Sequence, residues 1–395
     1  MDATLDAKVE PARNMRRVGG LDELPGGGQV VVQGNHCFIG HMTHPHDTTI
    51  IDISDPRKPK VVAEIPLDLP HCHSHKTRVV GDIMVTNVER IGRAPDDTNE
   101  GGVRIWDIST VAKPKLITHL RTHGRGVHRF DMDESYLYLS TEMEGYVGNI
   151  LVIYDIRDPA KPTEVSRWWM PGQHVANGEQ PHWVANNNRL HHAMRVGNFM
   201  WAACWDAGFR IVDIFDIANP KTVGKWDHHP LFKHPTHTIM PITRKIDGRD
   251  IAIMMDEEAE HRKGIPHAAL WTFDVTDKAN PKALAVFEVS ERDTPYYAAD
   301  VGRGLGHGHG DMYRFGAHQY QEHLDGTRIT CAWFSGGVRV VDVSDPVYPE
   351  EVAHYVPAPR GGKRAPQTND VEVDERGLVY ALDRFQVLDI LEVTG

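Results

Sequence analysis

One spacing constrains this chain more than anything else in it. An aspartate at the end of a short apolar alternation is followed, seven residues on, by a proline, and the unit recurs six times in 395 residues. The copies are "IIDISDPRKPKVV" (50–62), "RIWDISTVAKPKLI" (104–117), "VIYDIRDPAKPTEV" (152–165), "RIVDIFDIANPKTV" (210–223), "WTFDVTDKANPKAL" (271–284) and "RVVDVSDPVYPEEV" (339–352). Period-two alternation before the aspartate predicts a strand, the D-P or N-P pairs predict a turn, and the β-branched stretch beyond predicts a second strand. A degenerate seventh copy, "QVLDILEV" (386–393), carries its aspartate at Asp389. The repeat aspartates, at 52, 107, 155, 213, 274, 342 and 389, are 47 to 68 residues apart.

That period suits one four-stranded blade per unit, with loops of unequal length between blades. The last copy stops before a fourth strand, while "MRRVGGLDELP" (15–25) resembles the fourth-strand segment "PKTVGKWDHHP" (220–230). A strand near the N-terminus is therefore expected to complete the last blade and leave no open edge. The expected fold is all-β, a seven-bladed β-propeller of four-stranded blades. It forms a single domain over residues 1–395, with 1–13 an extended tail; six blades, or two separate β domains, are the alternatives. Units such as "VRVVDVSDPVYPEEV" (338–352) resemble the LVIVD repeat, whose family is read as a β-propeller. The resemblance covers nearly the whole chain, although several copies lack the D-P pair.

In a propeller the first strand of each blade lines the central channel, so equivalent positions at the start of those strands form a ring. In "SHKTRVVGDIMV" His75 lies six residues before Gly81, and in "LHHAMRVGNFMW" His191 lies six before Gly197. "GVHRFDMDESYLYL" supplies His128, "PTHTIMPI" His237 and "GAHQYQEHLDG" His318 at the same place. The first blade has Gly28 there and the seventh Asn369. Imidazoles converging on an axis suit a transition metal, because neutral histidine nitrogen binds iron, copper, zinc or nickel, whereas magnesium and calcium prefer oxygen. His75, His128, His191, His237 and His318 are the expected ligands. Fe(II) is favoured; Cu, Zn and Mn are open. The arrangement is similar to that of carotenoid-cleaving oxygenases, propellers that hold Fe(II) with four axial histidines oriented by carboxylates. By that analogy Glu144, Glu258 and Glu322 are candidate orienting acids. His71 and His73 read as neighbours of the channel mouth.

Further histidines fall on loops. His41, His44 and His46 precede the first repeat, His307 and His309 lie in "GLGHGHGDMYRFGAH", His182 in "QPHWVANNNRLHH" and His228, His229 and His234 in "HHPLFKHPTH". His309, His182 and His234 are the expected groups for substrate contact or proton transfer, with Trp201, Trp205, Phe334 and Tyr320 as candidate walls. No G-x-S-x-G elbow or H-E-x-x-H helix occurs, and the glycine runs lack the strand-turn-helix context of a phosphate loop.

A formal net charge of −12, with both signs mixed along the chain, offers no footprint for nucleic acid or for a membrane surface. No apolar signal segment or membrane-spanning run is evident, so the expected location is the cytoplasm. The four cysteines, Cys37, Cys72, Cys204 and Cys331, are far apart and read as reduced, packed thiols. The sequence thus predicts a metal-dependent enzyme acting on a small-molecule substrate, an oxygenase-type oxidoreductase first. A non-catalytic interaction scaffold and a metal-dependent hydrolase or lyase are the alternatives, and homo-oligomerisation is left open.

Overall fold

The computed structural model describes residues 11–91, 100–181, 187–227, 234–259, 265–296, 313–385 and 387–395. Within these the chain is built from strands and turns, with two single-turn 3-10 helices at Val175–Asn177 and Glu291–Asp293. Among the described residues no helix is long and apolar enough to cross a membrane.

The recurring aspartate and proline have one structural job each. In all six repeats the aspartate ends the third strand of its unit, and its Oδ1 accepts a hydrogen bond from the backbone N–H two residues on. The donors are Ser54, Ser109, Arg157, Phe215, Thr276 and Ser344, at 2.7–3.0 Å. This side-chain turn stops the strand and reverses the chain. The proline then stands immediately before the fourth strand, at Lys60–Pro66, Lys115–Arg121, Thr163–Trp168, Lys221–Trp226, Lys282–Phe287 and Glu350–Tyr355. It cannot donate to a ladder, and the first position of an outer strand asks for no donor.

Among the described residues the strands group into seven antiparallel units of four in chain order, the innermost strand of the second being split into Cys72–His73 and Thr77–Val80. In the third, Val127–Met132, Tyr136–Thr141, Ile150–Asp155 and Thr163–Trp168 pair in succession. The fourth and fifth units are joined by the single pair Trp205↔Thr236. As expected, Met15–Leu21 pairs with Leu388–Val393 and supplies the outer strand of the seventh unit. Ala12 and Arg13, at the end of the expected tail, pair with Tyr355 and His354 on the sixth unit.

Apolar residues on facing blade surfaces fill the junctions. Tyr138, Leu151 and Ile153 of the third blade pack with Met200, Ala202 and Cys204 of the fourth. The same arrangement joins every neighbouring pair, and Val30, Ile39 and Ile51 of the first blade meet Tyr380, Leu388 and Ile390 of the seventh. A hydrogen bond from Val30 N to Asp370 Oδ2 (2.9 Å) also crosses that last junction. The circle closes, so both faces of each sheet are covered without a second layer. All four cysteines are buried and unpaired with one another.

Candidate metal centre

The channel residues are brought inward by irregularities in the innermost strands. Pairing of the first and second strands skips one residue at Gly28, His128, His237 and Asn369. It is interrupted across Asn188–His192, which contains His191, and His75 lies between the short strands Cys72–His73 and Thr77–Val80. A bulged residue is released from the ladder and its side chain is re-aimed, a device frequent beside functional sites. Released at equivalent places, the five expected histidines come together. Ring centroids are 5.2 Å apart for His75–His128, 4.8 Å for His128–His191, 4.5 Å for His191–His237 and 4.4 Å for His237–His318. Asn369 and Gly28 complete the circuit, Asn369 Nδ2 donating to Gly28 O at 2.7 Å.

Hydrogen-bond partners fix the protons. His191 Nδ1 lies 2.9 Å from the carbonyl of His237, and His128 Nδ1 lies 2.8 Å from Glu89 Oε2. Both partners only accept, so each Nδ1 carries the hydrogen and each neutral ring keeps its lone pair on Nε2. Those two Nε2 atoms face one another at 3.0 Å. Two lone pairs so placed repel unless a cation lies between them. His318 Nδ1 likewise donates to the Asn369 carbonyl. His237 and His75 are engaged differently: Arg129 Nη2 donates to His237 Nε2 at 3.1 Å, and Asn87 Nδ2 to His75 Nδ1 at 3.3 Å.

Two groups of ligand atoms can each hold a metal ion, every atom within 4.8 Å of the others in its group: His73–His75–Glu89 and His191–His237–Glu257. Burial first, then neighbouring positive charge, holds His75, His191 and His237 well below the ordinary imidazole value, and burial does the same to His318. Burial also lowers His128, with Glu89 partly offsetting it. Neutral imidazole is the form that binds metal. Burial opposes ionisation of Glu89, but pairing with His128 and His73 outweighs it and holds the carboxyl well below the usual range. For Glu257 burial is outweighed chiefly by Arg314, which brings it to about 2.

The acids beside the ring are therefore Glu89 and Glu257, neither of which the sequence reading singled out. Glu89 stands opposite His73 in the strand register and also takes the 2.9 Å hydrogen bond of His73 Nε2, so His73 belongs to the site itself. Of the acids expected to orient histidines, Glu144 is exposed. Glu258, next to Glu257 just beyond the strand Ile251–Asp256, is engaged elsewhere and accepts from His267 Nδ1 (2.9 Å) and Ala268 N (2.8 Å). Glu322 accepts from Gln29 and Gln319 at 3.1 and 3.0 Å and pairs with Arg78, within a buried polar network of channel residues.

Above the ring is a cavity of about 240 Å³. Trp205 and Phe334 lie against His191 and His318, with centroids 4.7 and 4.8 Å apart. Both adopt positive φ, 56° and 29°, a conformation costly for a bulky residue. Trp201 and Tyr320, the other expected walls, are packed in blade junctions. His234 is outside the cavity lining; its Nε2 donates to Pro266 O at 2.8 Å and lies 3.5 Å from Glu258. His182 and His309 lie outside the described residues.

Comparison with known proteins agrees with this architecture. The LVIVD repeat matches residues 27–65, 145–168, 194–228 and 331–356. The fold is similar to the C-terminal WD40 domain of Sif2, with a TM-score of 0.58, 12% identity, and coverage of 96% of this chain and 99% of that one. It is also similar to the computationally designed Ika8 protein, with a TM-score of 0.54, 9% identity, and coverage of 95% and 99%. At such identities the likeness concerns the fold alone. Among curated proteins none matches this chain in sequence.

Proposed function

We propose that this LVIVD-repeat β-propeller is a metal-dependent enzyme whose mononuclear transition-metal ion sits on the propeller axis among the ring histidines. The observation that carries the reading is the pair of Nε2 lone pairs of His128 and His191, pinned towards each other at 3.0 Å by Nδ1 hydrogen bonds to Glu89 and to the His237 carbonyl. A metal with imidazole nitrogens roughly 2.0–2.1 Å away satisfies both. His191 also belongs to the group with His237 and Glu257, of which the Glu257 carboxylate is a further donor, His237 Nε2 being engaged by Arg129. Asn369 Oδ1, buried with no hydrogen-bond partner, is another acceptor beside the ring.

A donor set rich in neutral imidazole favours iron, copper, zinc or nickel over calcium or magnesium. Bound there, such an ion supplies Lewis acidity and, when redox-active, a place for O₂ to bind and accept electrons. The chain's own groups do the rest. Glu89 holds His128 in one tautomer, Trp205 and Phe334 wall off the ring, and the cavity above admits a small molecule. An oxygenase-type oxidoreductase with Fe(II) is the first reading, and a hydrolase or lyase on the same metal is the second.

An interaction scaffold has no need of converging, tautomer-fixed imidazoles. Elemental analysis of protein purified without a polyhistidine tag tests the proposal. Roughly one transition-metal ion per chain is expected, with loss on His128→Ala or His191→Ala and no change in fold. Metal-free protein from metal-replete growth, or unchanged content in both variants, overturns it. Turnover under aerobic against anaerobic conditions then separates the redox from the hydrolytic reading.

A further inference from the structure

The cavity above the histidines carries more positive charge than its own acids balance. Among the described residues Lys76, Arg125, Arg129, Arg189, Arg314 and Arg384 line it, against only Glu89 and Glu257, in a chain whose net charge is −12. Most of these cations are matched. Arg314 Nη1 donates to Glu257 Oε1 at 2.6 Å, and Arg125 Nη2 lies 3.7 Å from Glu89 Oε1. Arg129 donates to His192 and His237 and is 3.8 Å from Glu322, while Lys76 Nζ donates to Gly28 O at 3.0 Å.

Arg189 and Arg384 are different. Among the described residues neither makes an ion pair or a side-chain hydrogen bond, although both line the cavity. Each guanidinium lies over an aromatic ring, Arg189 at 4.9 Å from the centroid of Trp205 and Arg384 at 6.0 Å from that of Phe334. These are the two aromatic residues held at positive φ against ring histidines. Both are only half-buried, and a guanidinium with no carboxylate beside it is open to an anion that enters the cavity. Guanidinium presents two parallel donors that fit a carboxylate. Met42, Trp205 and Ala259 add apolar wall, and the volume equals roughly eight waters at about 30 Å³ each. That is room for a charged head and about one small ring or short chain.

We propose that this cavity binds a small organic carboxylate, drawn in by its surplus of cationic side chains, Arg189 and Arg384 above all, with its apolar body against the apolar part of the wall. As the substrate class of the proposed enzyme this rests on the metal-centre reading; as a binding site it stands without it. Isothermal titration of the untagged full chain tests it, with benzoate as probe, benzamide as its neutral counterpart, inorganic phosphate as a third arm, and metal content measured on the same samples. Benzoate is expected to bind with a dissociation constant below roughly 5 mM and benzamide about tenfold or more weaker. Phosphate is expected to bind more weakly than benzoate. Arg189→Met and Arg384→Met are each expected to weaken benzoate about tenfold or more with metal content unchanged.

Equal affinity for benzoate and benzamide, phosphate binding tighter than benzoate, or no benzoate binding overturns the inference. The comparison of ligands on unaltered protein decides it even if a variant does not fold. Benzoate binding by metal-free protein would sink the metal centre alone. Metal-bearing protein indifferent to benzoate would sink the carboxylate site alone.

Discussion

Glu89→Gln separates an orienting carboxylate from a merely buried one. Glu89 Oε2 accepts from His128 Nδ1 at 2.8 Å and from His73 Nε2 at 2.9 Å. Both bonds go to the same oxygen, whose place the glutamine carbonyl can take, but each then becomes a weaker neutral hydrogen bond, and the NH₂ group in the place of Oε1 turns a donor towards Arg125. The negative charge that makes His128 a better donor to metal is lost as well. Removing a carboxylate of this kind costs typically about 10–100-fold in metal affinity, or about 1.4–2.7 kcal/mol. The assay is competition for Zn²⁺ between the protein and a chromophoric chelator at fixed pH, with thermal unfolding followed in parallel. Glu144→Gln, on an exposed loop, is the control and should leave affinity unchanged. A folded Glu89→Gln protein that binds Zn²⁺ within about twofold of the original chain refutes the reasoning that His128 is a ligand held by Glu89.

Two further outcomes follow from the channel. A Cβ at Gly28 would lie 2.6 Å from the Cβ and the carbonyl oxygen of His75, so Gly28→Ala should destabilise the chain by about 1–3 kcal/mol in urea unfolding and weaken metal binding; an unchanged midpoint would contradict the close approach. Burial first and Glu322 next raise Glu372 from 4.5 to about 8. The folded chain then holds a proton that the unfolded chain releases, and this contribution to stability is full below about 4.5 and lost as pH rises towards about 8. Glu372→Gln should flatten the fall in the urea midpoint between those limits, and parallel profiles for the two proteins would sink this assignment.

The blades were legible because each repeat solves the same local problem with the same two residues. An aspartate two residues before the N–H it accepts, and a proline at the head of an outer strand, leave a fixed spacing that a single sequence displays. The ring was legible for a related reason. Gly34, Gly81 and Gly197 stand six residues beyond Gly28, His75 and His191 and take positive φ where the first strand turns into the second. Glu89 left no comparable trace, since it belongs to the second blade and serves His128 of the third across a junction. Such a contact depends on how two blades pack and fixes no short spacing. Glu257 and Glu258 are adjacent on the segment that follows the strand Ile251–Asp256, and only the direction each side chain takes there decides which faces the ring. The strand irregularities that free the histidines likewise depend on pairing register, which composition and periodicity do not encode.

The central claim is tested most directly by anomalous diffraction from crystals of the metal-replete, untagged protein, collected at the absorption edge of the metal found by elemental analysis. The account predicts one peak on the propeller axis, roughly 2.0–2.2 Å from Nε2 of both His128 and His191. Metal-replete crystals with no peak on the axis, or a peak only at surface histidines, would contradict it.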